Sequence, residues 1–132
     1  MSHPRIDPEI RSLMRPLTSD ERGRLRAQIE ADGCLEALVL WSNAPEGPTL
    51  VDGHNRLGIC DELGIEYSVV EREFEDRGAV IRWIIDHQLG RRNLTPKEYR
   101  YWVGKRYEAE KREAADTLRQ NAPRGQNDSA GR

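Results

Sequence analysis

Apolar positions along this chain come in short blocks cut by Gly, Pro and Asn, and their spacing changes from block to block. Segment 6–10 is a brief apolar start interrupted by Pro8, which suits an edge strand or an extended arm. Thr18 and Glu21 stand at capping-box spacing, so each can satisfy a free backbone N–H where a helix begins. Leu25, Ala27 and Ile29 follow among charged residues, and Gly33 supplies a left-handed stop. Segment 35–41 is nearly continuous in apolar character and predicts a strand buried on both faces. Asn, Pro and Gly across 43–48 predict a turn, and 49–51 a short second strand. Asp52-Gly53 breaks that strand. The helix after it carries Leu57, Ile59, Cys60 and Leu63, and Gly64 closes it.

Strand character resumes over 67–74, around Ser68-Val69-Val70. Asp76 is placed to cap a helix over 77–89, whose Val80, Ile81, Trp83, Ile84 and Ile85 form a broad apolar face. Gly90 is its stop. Thr95-Pro96-Lys97-Glu98 is a second capping box with Pro at the first helical position. The long helix it opens carries Tyr99, Trp102, Val103 and Tyr107. Their spacing predicts a stripe buried in the core or a dimer, in preference to a platform on which bases stack. Charge takes over near 111–119, and the Gly-, Ser- and Asn-rich end predicts disorder. The expected fold is a small α/β (α+β) domain over 1–107, with the end of its C-terminal helix over 108–119 and a disordered tail over 120–132. There is no internal repeat.

With 132 residues the chain has room for one domain, and its formal net charge of −2 excludes a bulk polyelectrolyte binder. Any DNA contact must come from a local basic patch or a partner domain. Cys34 and Cys60 sit in apolar contexts outside any Cys-x-x-Cys pair, which predicts buried free thiols in a reducing cytoplasm. No metal-ligand spacing appears, and no apolar run approaches a membrane span. The expected location is cytoplasmic, with no membrane partner.

The segment Thr49-Leu50-Val51-Asp52-Gly53-His54-Asn55-Arg56-Leu57 carries most of the chemical information. A strand ends, a Gly permits a tight turn, and a helix begins. Free N–H groups at a helix start carry partial positive charge and suit a phosphate. Gly53 lets the phosphate approach the backbone. Arg56 supplies a planar, permanently charged donor, and His54 and Asn55 add side-chain donors. Asp52 could hold a metal-bound water or act as a base, and Asp52 and His54 are the candidate catalytic residues. The competing reading is a plain strand–helix turn with Asp52 as its cap.

Three boxes in order resemble the ParB/sulfiredoxin superfamily, in particular the ParB-like N-terminal domains of plasmid, phage and integrative-element proteins. Residues 29–41, where a helix ends at Gly33 and a strand follows, resemble the first box. Leu50-Val51-Asp52-Gly53-His54-Asn55-Arg56-Leu57 resembles the second, and 83–96, with Gln88-Leu89-Gly90-Arg91-Arg92-Asn93-Leu94-Thr95-Pro96, resembles the third. The resemblance implies the ParB/sulfiredoxin fold, a small mixed sheet flanked by helices. It also implies binding of CTP, or another nucleoside triphosphate, with Mg²⁺, and a homodimer that closes on DNA. Carried over by motif position, Gly53, His54, Asn55, Arg56, Arg91 and Arg92 would hold phosphate. His87 or Gln88 would stand where the third box has its metal-binding Asn. Arg91, Arg92, Lys97 and Arg100 form the candidate DNA face.

The sequence departs from the pattern at Glu36-Ala37, where a Gln-Pro pair is usual, and at Asp86-His87, where Glu-Asn is usual. ParB proteins continue into a helix-turn-helix domain, through which DNA contact is expected. Sulfiredoxin chemistry is excluded, because the position of its reactive Cys is His54. The expected function is a nucleotide-binding module in DNA partition or clamping. The alternatives on the same fold are an enzyme (a nuclease, NTPase or small-molecule kinase) and a non-catalytic, protein-binding adaptor.

Overall fold

The computed structural model describes residues 3–91 and 94–121. The expected disorder beyond 121 therefore lies outside the described residues, while Gln120 still belongs to the last helix. The elements are α1 (Pro8–Ser12), α2 (Ser19–Asp32), β1 (Leu38–Trp41), β2 (Thr49–Asp52), α3 (His54–Leu63), β3 (Val69–Arg72), α4 (Arg77–Leu89) and α5 (Pro96–Gln120). They fall into two compact units, one ending at Val80 and the other beginning at Ile81. No helix among the described residues is long and apolar enough to cross a membrane.

The first unit is built on a three-stranded mixed sheet of order β2-β1-β3. The β1–β2 pair is antiparallel and joined by the Pro- and Gly-rich turn, whereas β1 and β3 run parallel. A parallel pair needs a crossover, and α3 provides it. Central β1 is buried along most of its length, and edge strand β3 is mostly exposed. Leu38, Leu40, Leu50 and Leu57 form one core cluster beneath Ile6, Tyr67 and Val69. Ile29, Ile59 and Cys60 form a second, where α2 meets α3. This is the α/β class expected from the sequence.

Two expectations need correction. The strand forecast for 35–41 starts only at Leu38, and Leu35 is 75% exposed. The ladder explains why: β3 pairs with β1 from Val69↔Leu38 onward, and residues before Leu38 have no strand beside them. The forecast of an edge strand over 6–10 also fails. The chain makes one parallel bridge, Arg5 to Thr49, and then enters α1. Pro8 fits the first helical turn, where its missing N–H costs nothing, and Asp7 Oδ1 accepts from Glu9 N–H (2.9 Å) and Ile10 N–H (3.1 Å).

Asp7 is also buried, 2.8 Å from Arg77 and 3.7 Å from Arg5, and Arg77 reaches Glu9 at 3.1 Å. The Arg77 guanidinium, aided by the two backbone donors, holds the Asp7 carboxyl at about 2 against the cost of burial.

In the second unit, Arg82–Glu113 (3.2 Å) and Asp86–Arg106 (3.5 Å) pair the remainder of α4 with α5 in antiparallel sense. Ile81, Ile84, Ile85 and Gln88 are buried, as is Trp102. Of the stripe on α5 expected to be buried in the core or a dimer, Trp102 is buried in the core of this chain. Tyr99 and Tyr107 are 55% and 66% exposed, and Val103 is exposed as well. At 3.6 residues per turn, 99, 103 and 107 share a face whose centre lies about 100° from Trp102. The helix buries the Trp102 side and leaves the tyrosine side open. Trp83 is half-buried and stacks on His87.

Asp7 gives the first expected outcome. Replacing it with Ala removes a helix cap and leaves Arg77 without its closest partner, at a cost of about 2–4 kcal/mol. Its folded-state value lies below the ordinary one, so its contribution is whole above about pH 4 and is lost as pH falls toward 2. Urea denaturation of the native and Asp7→Ala chains across that range measures both. Equal stabilities at pH 7 would show that the network is idle.

Candidate phosphate-binding site at a strand–helix turn

The turn from β2 into α3 rests on Gly53. Its φ of 106° lies in the left-handed region, and a Cβ there would stand 2.4 Å from Leu38 Cδ2 and 3.1 Å from Arg56 Nη2. Only Gly can let the strand end this close to β1. Gly53 O accepts from Leu57 N–H at 2.8 Å, closing the first turn of α3. No side chain caps the helix. Asp52 is not its cap; it turns instead to Arg56, 3.5 Å away. The N–H groups at the start of α3 therefore have no side-chain acceptor.

Arg56 is largely buried, with 18% of its side chain exposed. Its Nη1 donates to Glu36 Oε2 (3.2 Å) and its Nη2 to Ala37 O (3.3 Å) and Asp52 Oδ2 (3.5 Å). The guanidinium thus ties the start of α3 to the chain entering β1. Its Nε is buried without a partner. Glu36 was legible only as a departure from the expected pattern; its pairing with Arg56 comes from the fold. Asn55 is exposed.

His54 is the unexpected member. Both ring nitrogens are buried and neither has a hydrogen-bond partner. Burial lowers its pKa to about 4, the Arg11 charge adds to that, and Asp52 opposes it. The imidazole is neutral at pH 7. Asp52 and His54 do not share a hydrogen bond, so these two candidate catalytic residues are neighbours and not an assembled acid–base pair.

The remaining candidates stand on the second unit. His87 stacks face to face on Trp83, ring centroids 4.6 Å apart. Gln88 is buried, and its Oε1 accepts from Arg91 Nη1 at 3.2 Å. Arg91, Lys97 and Arg100 are exposed, and Arg92 lies outside the described residues. Among the described residues no three His, Cys, Asp or Glu side chains converge as a metal site. A second concavity, about 250 Å³, lies at the other end of the sheet, lined by Trp41, Asn43, Phe74 and Arg77 among others. The Trp41 indole Nε1–H is buried and unpartnered.

No protein-family model matches this sequence, and no curated protein matches it. Among solved structures it is similar to a Pnob8-like ParB-N domain, determined in its C2221 form. The TM-score is 0.67 at 21% identity, over 89% of this chain and 45% of that one. At that identity the likeness is one of fold: the chain has the ParB-N fold, as its three boxes implied. It spans less than half the length of that structure's chain.

His54 carries the prediction for this site. Its folded-state value lies below 6.5, so the unfolded chain takes up more protons between pH 6.5 and 4. The stability due to this group is whole above about pH 6.5 and falls away as pH drops toward 4, by roughly 2–3 kcal/mol. The expected NMR result is a His54 ring resonance that titrates near pH 4. A His54 midpoint near 6.5 would mean that the ring is open to water.

Proposed function

We propose that this chain is a ParB-like nucleotide-binding module. It holds the phosphates of a nucleoside triphosphate, CTP first, with Mg²⁺, at the start of α3, and it serves DNA partition or clamping for a plasmid, phage or integrative element. The observation that carries this reading is the uncapped helix start behind left-handed Gly53, set within a ParB-N fold.

The residues fit the group. Backbone N–H groups at 54–56 supply the anion contacts, and Asn55 adds a donor in solvent reach. Arg56 is already held at the turn. Its contact to Glu36 is to a carboxylate 79% exposed, and such a pair contributes only about 0–1 kcal/mol. A charge-assisted bond to phosphate contributes about 1.5–3 kcal/mol, so exchanging Glu36 for phosphate is favourable. Asp52 and Glu36 bring two carboxylates to the same place, which would repel a bare triphosphate. Mg²⁺ takes one or two carboxylates together with phosphate oxygens and water, and so would turn that repulsion into attraction. By the third-box resemblance alone, Gln88 or His87 would be the metal-binding residue and Arg91 a phosphate donor; Gln88 Oε1 here accepts from Arg91. Exposed Lys97 and Arg100 supply local positive charge for a DNA backbone despite the chain's net charge of −2. The dimer belongs to the same reading.

The test is calorimetric titration with CTP, ATP and GTP, with and without Mg²⁺. CTP with Mg²⁺ is expected to bind selectively. Removing Mg²⁺ should weaken binding by about tenfold or more, the equivalent of one unscreened charge contact. Asn55→Ala and Arg56→Ala should each lose about tenfold to a hundredfold, with thermal melting checked beside them. Preference for ATP or ADP would transfer the site to the enzyme reading on this fold. Absence of binding to any of the three would leave the adaptor reading.

A further inference from the structure

Cys34 and Cys60 lie 26 positions apart in sequence, yet the fold brings them together. Cys60, on the middle of α3, is buried in the cluster with Ile29 and Ile59, and half-buried Cys34 packs against that cluster just after Gly33 ends α2. Cys34 also lines a small recess with Leu25, Gln28, Leu35 and Arg56, open to solvent on one side. Both thiols are free. Cys34 is partly exposed and Cys60 is buried, and neither is a residue of the proposed phosphate site.

We propose that Cys34 and Cys60 are a peroxide-sensitive thiol pair that closes to an intramolecular disulfide. The order of steps follows from exposure. Hydrogen peroxide reaches Cys34 through the recess. The Cys34 thiolate sulfur attacks the near peroxide oxygen; the S–O bond forms, the O–O bond breaks, and the far oxygen leaves as water after taking a proton. Cys60 then attacks the Cys34 sulfenic sulfur. The S–S bond forms, the S–O bond breaks, and the departing hydroxide takes the Cys60 proton as a second water. Two thiols are oxidised and one peroxide is reduced. Burial, together with the neighbouring Cys34, pushes the Cys60 thiol up to about 11, so the first attack falls to the more exposed Cys34. The bond would tie the Gly33–Cys34 corner to the body of α3, the helix whose first turn forms the phosphate site.

The experiment treats the full chain with hydrogen peroxide and reads free thiols, intact mass and thermal melting. The native chain is expected to lose both thiols, to fall in mass by two hydrogens as a monomer, to melt higher, and to revert with dithiothreitol. Cys60→Ala should stop at a sulfenic acid on Cys34 that dimedone captures. Cys34→Ser should keep Cys60 unreactive until the chain is unfolded. Two free thiols after treatment, a disulfide between chains, or a sulfinic acid on Cys34 beside a free Cys60 would each overturn the proposal. The treatment is done without nucleotide, so its outcome is read apart from that of the phosphate site.

Discussion

A side chain at position 53 and Leu38 cannot occupy their places together. The backbone of Gly53 runs so close to β1 that a Cβ would lie within bonding-repulsion range of the Leu38 side chain, and its φ of 106° would strain any other residue besides. Leu38 is fully buried and sits in the core cluster with Leu40, Leu50 and Leu57. The contact that closes this core therefore also fixes where β2 ends and where α3 begins. The helix starts against the sheet with no side-chain hydrogen bond capping its first N–H groups. Core packing and the candidate anion site are two consequences of one glycine.

The two ion networks of the first unit differ in kind. Around Asp7 the carboxylate is buried, short contacts saturate it, and its pKa is held low. Removing one partner there would strand a charge, so the network acts as a fastening. Around Arg56 the contacts are long, and the Glu36 side chain stands mostly in water. An incoming anion could replace Glu36 at little cost. His54 adds a third environment: a neutral imidazole packed beside the turn with neither nitrogen satisfied. In this conformation it fills space and offers no donor to a ligand, which shifts the weight of the proposed phosphate contact onto the backbone, Asn55 and Arg56.

Most of the fold was legible because its signals are local. Both capping boxes, Thr18 with Glu21 and Thr95 with Glu98, stand where their spacing put them. Gly33 and Gly64 end helices in positive φ, and Asp76 accepts from Ala79 N–H at 2.8 Å. What the sequence misled about depends on neighbours. Leu35 reads as strand but has no strand beside it. At the site, the glycine turn, Asn55 and Arg56 were visible as a motif. The Glu36 partner, the burial of His54 and the separation of Asp52 from His54 were not, since each depends on how β1 and α3 meet.

The most direct measurement is the backbone amide NMR spectrum of the chain as CTP with Mg²⁺ is added. The account predicts the largest shifts at the amides of Gly53, His54, Asn55 and Arg56, with the Glu36 and Ala37 signals following as Arg56 exchanges partners. Shifts centred instead on the far end of the sheet, around Trp41 and Asn43, or a spectrum that does not change, would contradict it.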